Sequence, residues 1–178
     1  EDLEKIPMLT REDLKKTAAP LYNEVVMSGD TKLVHHAMYA NGIDYLQLLF
    51  DIKDISPEQL PYIGILKAVL GYVDTESHSY AELANEINIH TGGIGSSIGI
   101  YPNVKNKDDL EVKYEVKTKV LADKLPDAMK LIREILLTSK ISDEKRLREI
   151  LAQLCSRLQV GLSSAGHSVA SGRAMSYF

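Results

Sequence analysis

Tryptophan is absent from this 178-residue chain, cysteine occurs once and phenylalanine twice. Nowhere do about 18 apolar residues follow one another, the length a membrane-spanning helix needs. The single Cys155 excludes a disulfide framework, and with it any cysteine-based zinc site within one chain. The missing apolar run means that no membrane partner is expected. A basic excess is missing too: 21 Lys and Arg stand against 25 Asp and Glu, a formal net charge of −4. Binding phosphate needs the opposite balance, so no nucleic-acid partner is expected. There is no tandem repeat and no low-complexity tract. What remains is a globular composition, 44% hydrophobic and 26% charged, long enough to bury one sizeable core and too short for two comfortable domains. The sequence starts at Glu1 rather than methionine and ends abruptly at Phe178. It reads as a piece of a longer polypeptide, cut at its C-terminal end.

Two segments are distinguished along the chain. Residues 1–30 read as an inter-domain linker with a short helix, which Thr10 caps with Asp13 in the capping-box position and Pro20 ends or bends. Residues 31–178 read as a single α+β domain. Residues 33–38 predict a strand, and Asn41-Gly42 predicts a hairpin into a second strand over 43–52, because both turn residues tolerate positive φ. Ser56, Pro57 and Gln59 predict a helix start, with Leu60, Ile63, Leu66, Leu70 and Val73 following at helical spacing. Ser79 and Glu82 form a capping box for a second helix, which buries Leu83 and Ile87 and stops before Gly92-Gly93. A strand over 94–101 sets Ile94, Ser96, Ile98 and Ile100 on one face. From Leu110 to Val120, apolar residues alternate with Glu111, Lys113, Glu115, Lys117 and Lys119, the pattern of an antiparallel strand with one charged, solvated face. Three helices complete the chain. The first uses Met129, Ile132, Ile135 and Leu136; the second uses Leu147, Ile150, Leu151, Leu154 and Leu158; a small-residue helix spans 168–176. The order ββ-αα-ββ-ααα gives an antiparallel-rich sheet covered by helices on one face.

None of these residues nominates an active site. His35, His36, His78, His90 and His167 show neither H-E-x-x-H nor H-x-x-E-H, the spacings that put two zinc-binding histidines and a glutamate on one helical face. His35 and His36 are adjacent on a strand and point to opposite sides. Glu82, four residues after His78, is claimed by capping. Cys155 sits among Leu151, Leu154 and Leu158 and reads as a buried thiol. Ser96-Ser97 and Ser163-Ser164 have no neighbouring base. Gly92-Gly93-x-Gly95 follows a helix and precedes a strand, the reverse of a phosphate loop, and reads as a tight turn. Lys105, Lys107, Lys113, Lys117 and Lys119 are interleaved with acids and read as a solvated face. No catalytic, cofactor-binding or metal-binding residue is therefore expected in this chain.

A family resemblance enters through structural motifs. Ile6-Pro7-x-Leu9-x-x-x-Asp13-Leu14 resembles the segment opening the second half of presequence-protease-type enzymes. Asn88-Ile89-His90-Thr91-Gly92-Gly93-Ile94 is similar to the helix-to-strand turn of their third domain. Gly166-His167 with Arg173-Ala174-x-Ser176-Tyr177-Phe178 resembles its final close-packed helix. These enzymes are zinc metallopeptidases of the pitrilysin/insulinase clan, the inverzincins. The resemblance implies four related α+β domains in two halves that close around an unfolded peptide, with zinc and H-x-x-E-H in the first domain and a degenerate third domain matched here. It sets Gly64-Ile65-Leu66-Lys67-Ala68 where H-x-x-E-H would lie. On this resemblance the chain is expected to be a fragment inactive alone, without a cofactor of its own, from a zinc peptidase that degrades peptides. Its partners would be other domains of the same polypeptide and unfolded peptide, and the isolated fragment would self-associate. The parent would be bacterial and cytoplasmic, or in a mitochondrial or plastid matrix if eukaryotic. The alternative is a stand-alone scaffold subunit of a processing-peptidase-like complex.

Overall fold

The computed structural model describes residues 8–14, 16–17, 20, 22–106 and 109–176. Ile6-Pro7, Lys107 and Tyr177-Phe178, all used in reading the sequence, lie outside them. The chain forms two compact units, residues 1–40 and 41–178.

In the first unit Thr10 and Asp13 form the expected capping box, with the Thr10 amide 2.8 Å from the Asp13 carboxylate. The helix they cap is a single 3-10 turn, Arg11–Asp13, and it ends well before Pro20 because Leu14 is already extended. The next element corrects the predicted pairing. Strand β1, Glu24–Ser28, lies in the stretch read as linker, and β2, Thr31–His35, pairs antiparallel with it. Gly29, at φ +60°, opens the two-residue turn between them. This shorter connection captures residues 31–35, so Asn41-Gly42 does not join them to the next strand. Both turn residues do have positive φ, at 50° and 77°.

In the second unit a three-stranded antiparallel sheet has the order β3-β5-β4, from β3, Ile43–Asp51, β4, Ile94–Pro102, and β5, Leu110–Leu121. The strict alternation in β5 puts Tyr114, Val116, Thr118 and Val120 on one face, all buried. Leu46, Leu48 and Phe50 of β3 and Ile94, Ser96, Ile98 and Ile100 of β4 share that face by register. Helices cover it. Helix α1, Leu60–Val69, sends Ile63 onto Ile52, Tyr114 and Val116; α3, Leu125–Thr138, adds Ile132 and Leu136. Helix α2, Tyr80–His90, inserts the fully buried Leu83 against Leu131 and Ile135 of α3. The architecture is α+β with a helix layer on one sheet face, and β1 adds one strand to the expected order.

Three local expectations shift. Helix α1 starts at Leu60, because Pro61 has no N–H to donate to the Pro57 carbonyl; Ser56 and Gln59 close a separate turn instead. Helix α1 also ends before Val73: Leu70 is extended, Gly71 takes φ +86°, and Val73 is buried from the following loop. Helix α3 buries Ala128, Leu131, Ile132 and Ile135 and leaves Met129 exposed, because the face toward α2 and the sheet is rotated from the one the spacing suggested.

A larger difference lies in the two last helices. Helix α4, Glu144–Ser164, has 21 residues, about 30 Å, against about 15 Å for the α1 it packs on. Only its first half meets the core, through Leu147 and Ile150 on Val69 and Val73. Leu158, Val160 and Leu162 are exposed, and helix α5, Gly166–Met175, buries no residue. Cys155 is exposed for the same reason, not buried as its neighbours suggested.

Candidate functional site

Helix α1 occupies the place where the resemblance would set a zinc helix. Gly64 and Ala68 carry no donor atom, and Lys67 carries a cation that repels a metal ion. Among the described residues no three His, Cys, Asp or Glu side chains converge as a metal site would require.

The histidines are scattered. His35 on β2 is 3.7 Å from the Glu24 carboxylate with both side chains exposed, and His36 follows the strand end. His90 closes α2 with Glu86 and Asp127 carboxylates 3.3 and 3.7 Å from its ring nitrogens. His167 is exposed on α5. His78 joins a partly buried polar group: its Nδ1 is 2.8 Å from Glu134 Oε1, which also accepts a short hydrogen bond from the Thr75 hydroxyl. The threonine proton thus points at a carboxylate rather than at the imidazole. That orientation provides no activated nucleophile, because the base would have to take the proton from the hydroxyl.

The serines are also spent. Ser163 and Ser164 hydroxyls donate back to the Gln159 and Val160 carbonyls of their own helix, and Ser97 donates to Glu115. The amides of the Gly92-Gly93 turn are engaged internally. Gly92 N–H donates to the Lys119 carbonyl at 2.7 Å, and Gly93 N–H to the Thr91 hydroxyl at 2.9 Å. Gly93, at φ +107°, makes the sharp entry into β4.

The most organised polar constellation lies on the helix-free face of the sheet. Register places Glu111, Lys113, Glu115, Lys117 and Lys119 of β5 there beside Tyr45, Gln47, Leu49 and Asp51 of β3 and Gly95, Ser97, Gly99 and Tyr101 of β4. Its centre departs from the solvated face expected: Glu115 is only 3% exposed. Lys117 Nζ and Ser97 Oγ each lie 2.5 Å from Oε2, the Tyr101 hydroxyl donates to Oε1, and Gln47 Nε2 reaches Oε1 at 3.2 Å. Lys117, then Ser97 and Tyr101, outweigh the cost of burial and hold the Glu115 carboxyl down at about 2. Lys117 and Tyr101 are correspondingly raised by the carboxylate.

Gly99 makes this arrangement fit. A Cβ there would stand 2.2 Å from Glu115 Oε1 and 2.8 Å from the Tyr101 ring. At the edge of the group Lys113 is clasped by Asp51 at 3.2 Å and Glu111 at 2.9 Å. This network ties three strands together and holds its one buried charge fully paired, so it is built for rigidity rather than proton transfer. The sequence carried a signal for it: Gly95, Ser97, Gly99 and Tyr101 form an alternating small-and-polar stripe, which leaves room for long side chains from the next strand.

Comparison with known proteins then decides the family. A family model described as "Peptidase M16-C associated" matches residues 1–178. The chain belongs to this peptidase-associated family. It is 33% identical over 177 residues to Protein HypA of Clostridium perfringens, covering 99% of this chain and 18% of that protein. It is 27% identical over 176 residues to Presequence protease 1, chloroplastic/mitochondrial, of Arabidopsis thaliana, covering 97% of this chain and 16% of that protein. The mitochondrial presequence protease of Xenopus tropicalis matches at 25% over 174 residues, 98% of this chain and 17% of its own length. The chain therefore spans less than a fifth of the length of these relatives. It is a peptidase-associated, non-catalytic domain homologous to a region of presequence proteases.

Proposed function

We propose that this domain serves a zinc-dependent metalloendopeptidase that degrades unfolded peptides, and that it contributes part of the wall of the substrate chamber. The observation that carries the reading is the family match over residues 1–178, within relatives several times longer that are named as proteases. The chemistry of α1 supports it: Gly64, Lys67 and Ala68 supply nothing for zinc, so zinc and its activated water would come from another domain of the same polypeptide. The sheet, locked by the Glu115 network, would supply a stiff surface, and confinement would select peptides by size and lack of fold. A bacterial cytoplasmic parent fits the match to a Clostridium protein, and a mitochondrial or plastid one fits the matches to the presequence proteases.

The alternative is a stand-alone scaffold subunit of a processing-peptidase-like complex. The coding sequence upstream of Glu1 separates the two: H-x-x-E-H followed by a distant glutamate supports the peptidase reading, and an open reading frame without it supports the scaffold.

The exposed apolar residues of α4 and α5 would meet other domains of the polypeptide, since apolar patches of this kind mark interaction surfaces. Alone, the chain is expected to self-associate through them. Light scattering across a concentration series should show mass rising with concentration; a constant monomer mass would remove this part of the account.

A further inference from the structure

The loop from Gly71 to Ser79 joins α1 to α2 and is gripped from several sides. Val73 and Thr75 are buried, at 0% and 1% exposure. Arg146 of α4 donates Nε–H to the Tyr72 carbonyl at 2.9 Å, and its guanidinium lies 3.8 Å over the Tyr80 ring. The Lys140 amide, just past α3, donates to the Asp74 carbonyl, and the Asp74 carboxylate accepts from the Tyr80 amide, both at 2.7 Å. Inside the loop Thr75 N–H donates to the His78 carbonyl at 2.8 Å, and His78 N–H to the Thr75 hydroxyl at 2.9 Å. The grip on α3 runs through one carboxylate: Glu134 Oε1 takes both the Thr75 hydroxyl and His78 Nδ1.

We propose that Thr75, His78 and Glu134 form a proton-dependent clasp, in which the proton on His78 fastens the 71–79 loop to α3 and loss of that proton loosens the loop while the sheet stays intact. The geometry requires the proton to matter. His78 Nδ1 must donate, because Glu134 Oε1 already receives the threonine proton and a carboxylate only accepts. The charged groups acting on His78 are acidic: Glu134 on α3, then Glu86 and Glu82 on α2. Glu82 is itself held by the Ser79 amide and hydroxyl, and Asp74 of the same loop by Tyr80. Arg146, which α4 brings to this loop, is committed to Tyr72, Glu149 and Tyr80.

The hydrogen bond to Glu134 raises His78 above its ordinary value, burial opposes this, and the acidic neighbours add to the rise. Burial pushes the Glu134 carboxyl up, but the hydrogen bonds from Thr75 and His78 overturn that and leave it lowered. The histidine contribution is complete below its unfolded value near 6.5 and is lost as pH rises through the higher folded value. The carboxylate contribution is present above its ordinary value and fades only as pH falls through the lowered one. The clasp is thus tight in mild acid and opens toward alkaline pH. It does not depend on the peptidase reading.

Hydrogen exchange of the full chain, corrected for intrinsic rates, tests this with the Thr75 and His78 amides as reporters and β5 amides as reference. Between pH 6 and pH 9 the reporter protection is expected to fall about tenfold, the scale of one unit of altered proton affinity, while β5 is unchanged. His78→Asn offers a neutral donor near the Nδ1 position and should abolish the pH dependence. Reporter protection that is flat with pH, or a dependence retained in His78→Asn, would overturn the clasp. Should the variant not fold, ring-resolved titration of wild-type His78 decides: a midpoint above those of His36 and His167 supports the clasp, and one at or below them overturns it.

Discussion

Replacing Glu115 by alanine is expected to destabilise the 41–178 unit by about 2–3 kcal/mol, the scale of a buried hydrogen-bonded carboxylate. The loss does not come mainly from Lys117, whose half-exposed ammonium can return to water. It comes from Ser97, Tyr101 and Gln47, whose donors converge on a position that alanine leaves empty. Glu115→Gln keeps an acceptor oxygen and should lose less. Urea denaturation near neutral pH measures both, and an alanine variant as stable as wild type would show that the network contributes nothing. Acid gives a second readout with a definite sign. A carboxyl held at about 2 contributes its full stabilisation above the ordinary carboxylate value and loses it as pH falls through about 2. The wild-type midpoint should therefore drop more steeply between pH 5 and pH 2 than that of Glu115→Gln.

Leu83→Ala is expected to cost about 3 kcal/mol, because a fully buried leucine leaves a cavity its neighbours fill only in part. Its cavity would open between α2 and α3, against Leu131 and Ile135. For a chain of this size that corresponds to roughly a 6–12 °C fall in melting temperature. Leu158→Ala removes the same atoms from an exposed site on α4 and should change stability by less than about 0.5 kcal/mol in dilute solution. Similar losses in the two variants would contradict the assignment of core and surface.

These two residues also show where the sequence was informative. Leu83 follows a capping box at helical spacing, and the Ser79–Glu82 bonds form as that motif requires. Local chemistry alone determines such a position, and the alternation of β5 belongs to the same class. Glu115 was grouped with the solvated charges of β5, because its burial depends on which strand lies beside it and on the absence of a side chain at Gly99. The Thr75–His78–Glu134 group was equally hidden: His78 and Glu134 are 56 positions apart and belong to no motif. The hairpin was misassigned for a related reason. Asn41-Gly42 has the backbone of a hairpin turn, but the two-residue connection at Gly29-Asp30 competes for the same strand and takes it. The length of α4 relative to α1 is a property of two helices together, so spacing within α4 could not tell that Cys155 and Leu158 would be exposed. The lack of metal ligands on α1, by contrast, was plain from residue identities.

The central claim is that this domain carries no catalytic centre of its own. Its most direct test is the zinc content and peptide-cleaving activity of the purified 178-residue chain, dialysed against a metal-free buffer and then given one equivalent of zinc. The account predicts no tightly held zinc and no cleavage of an unfolded peptide, with or without added metal. Stoichiometric zinc that survives dialysis, accompanied by cleavage that a chelator stops, would contradict it.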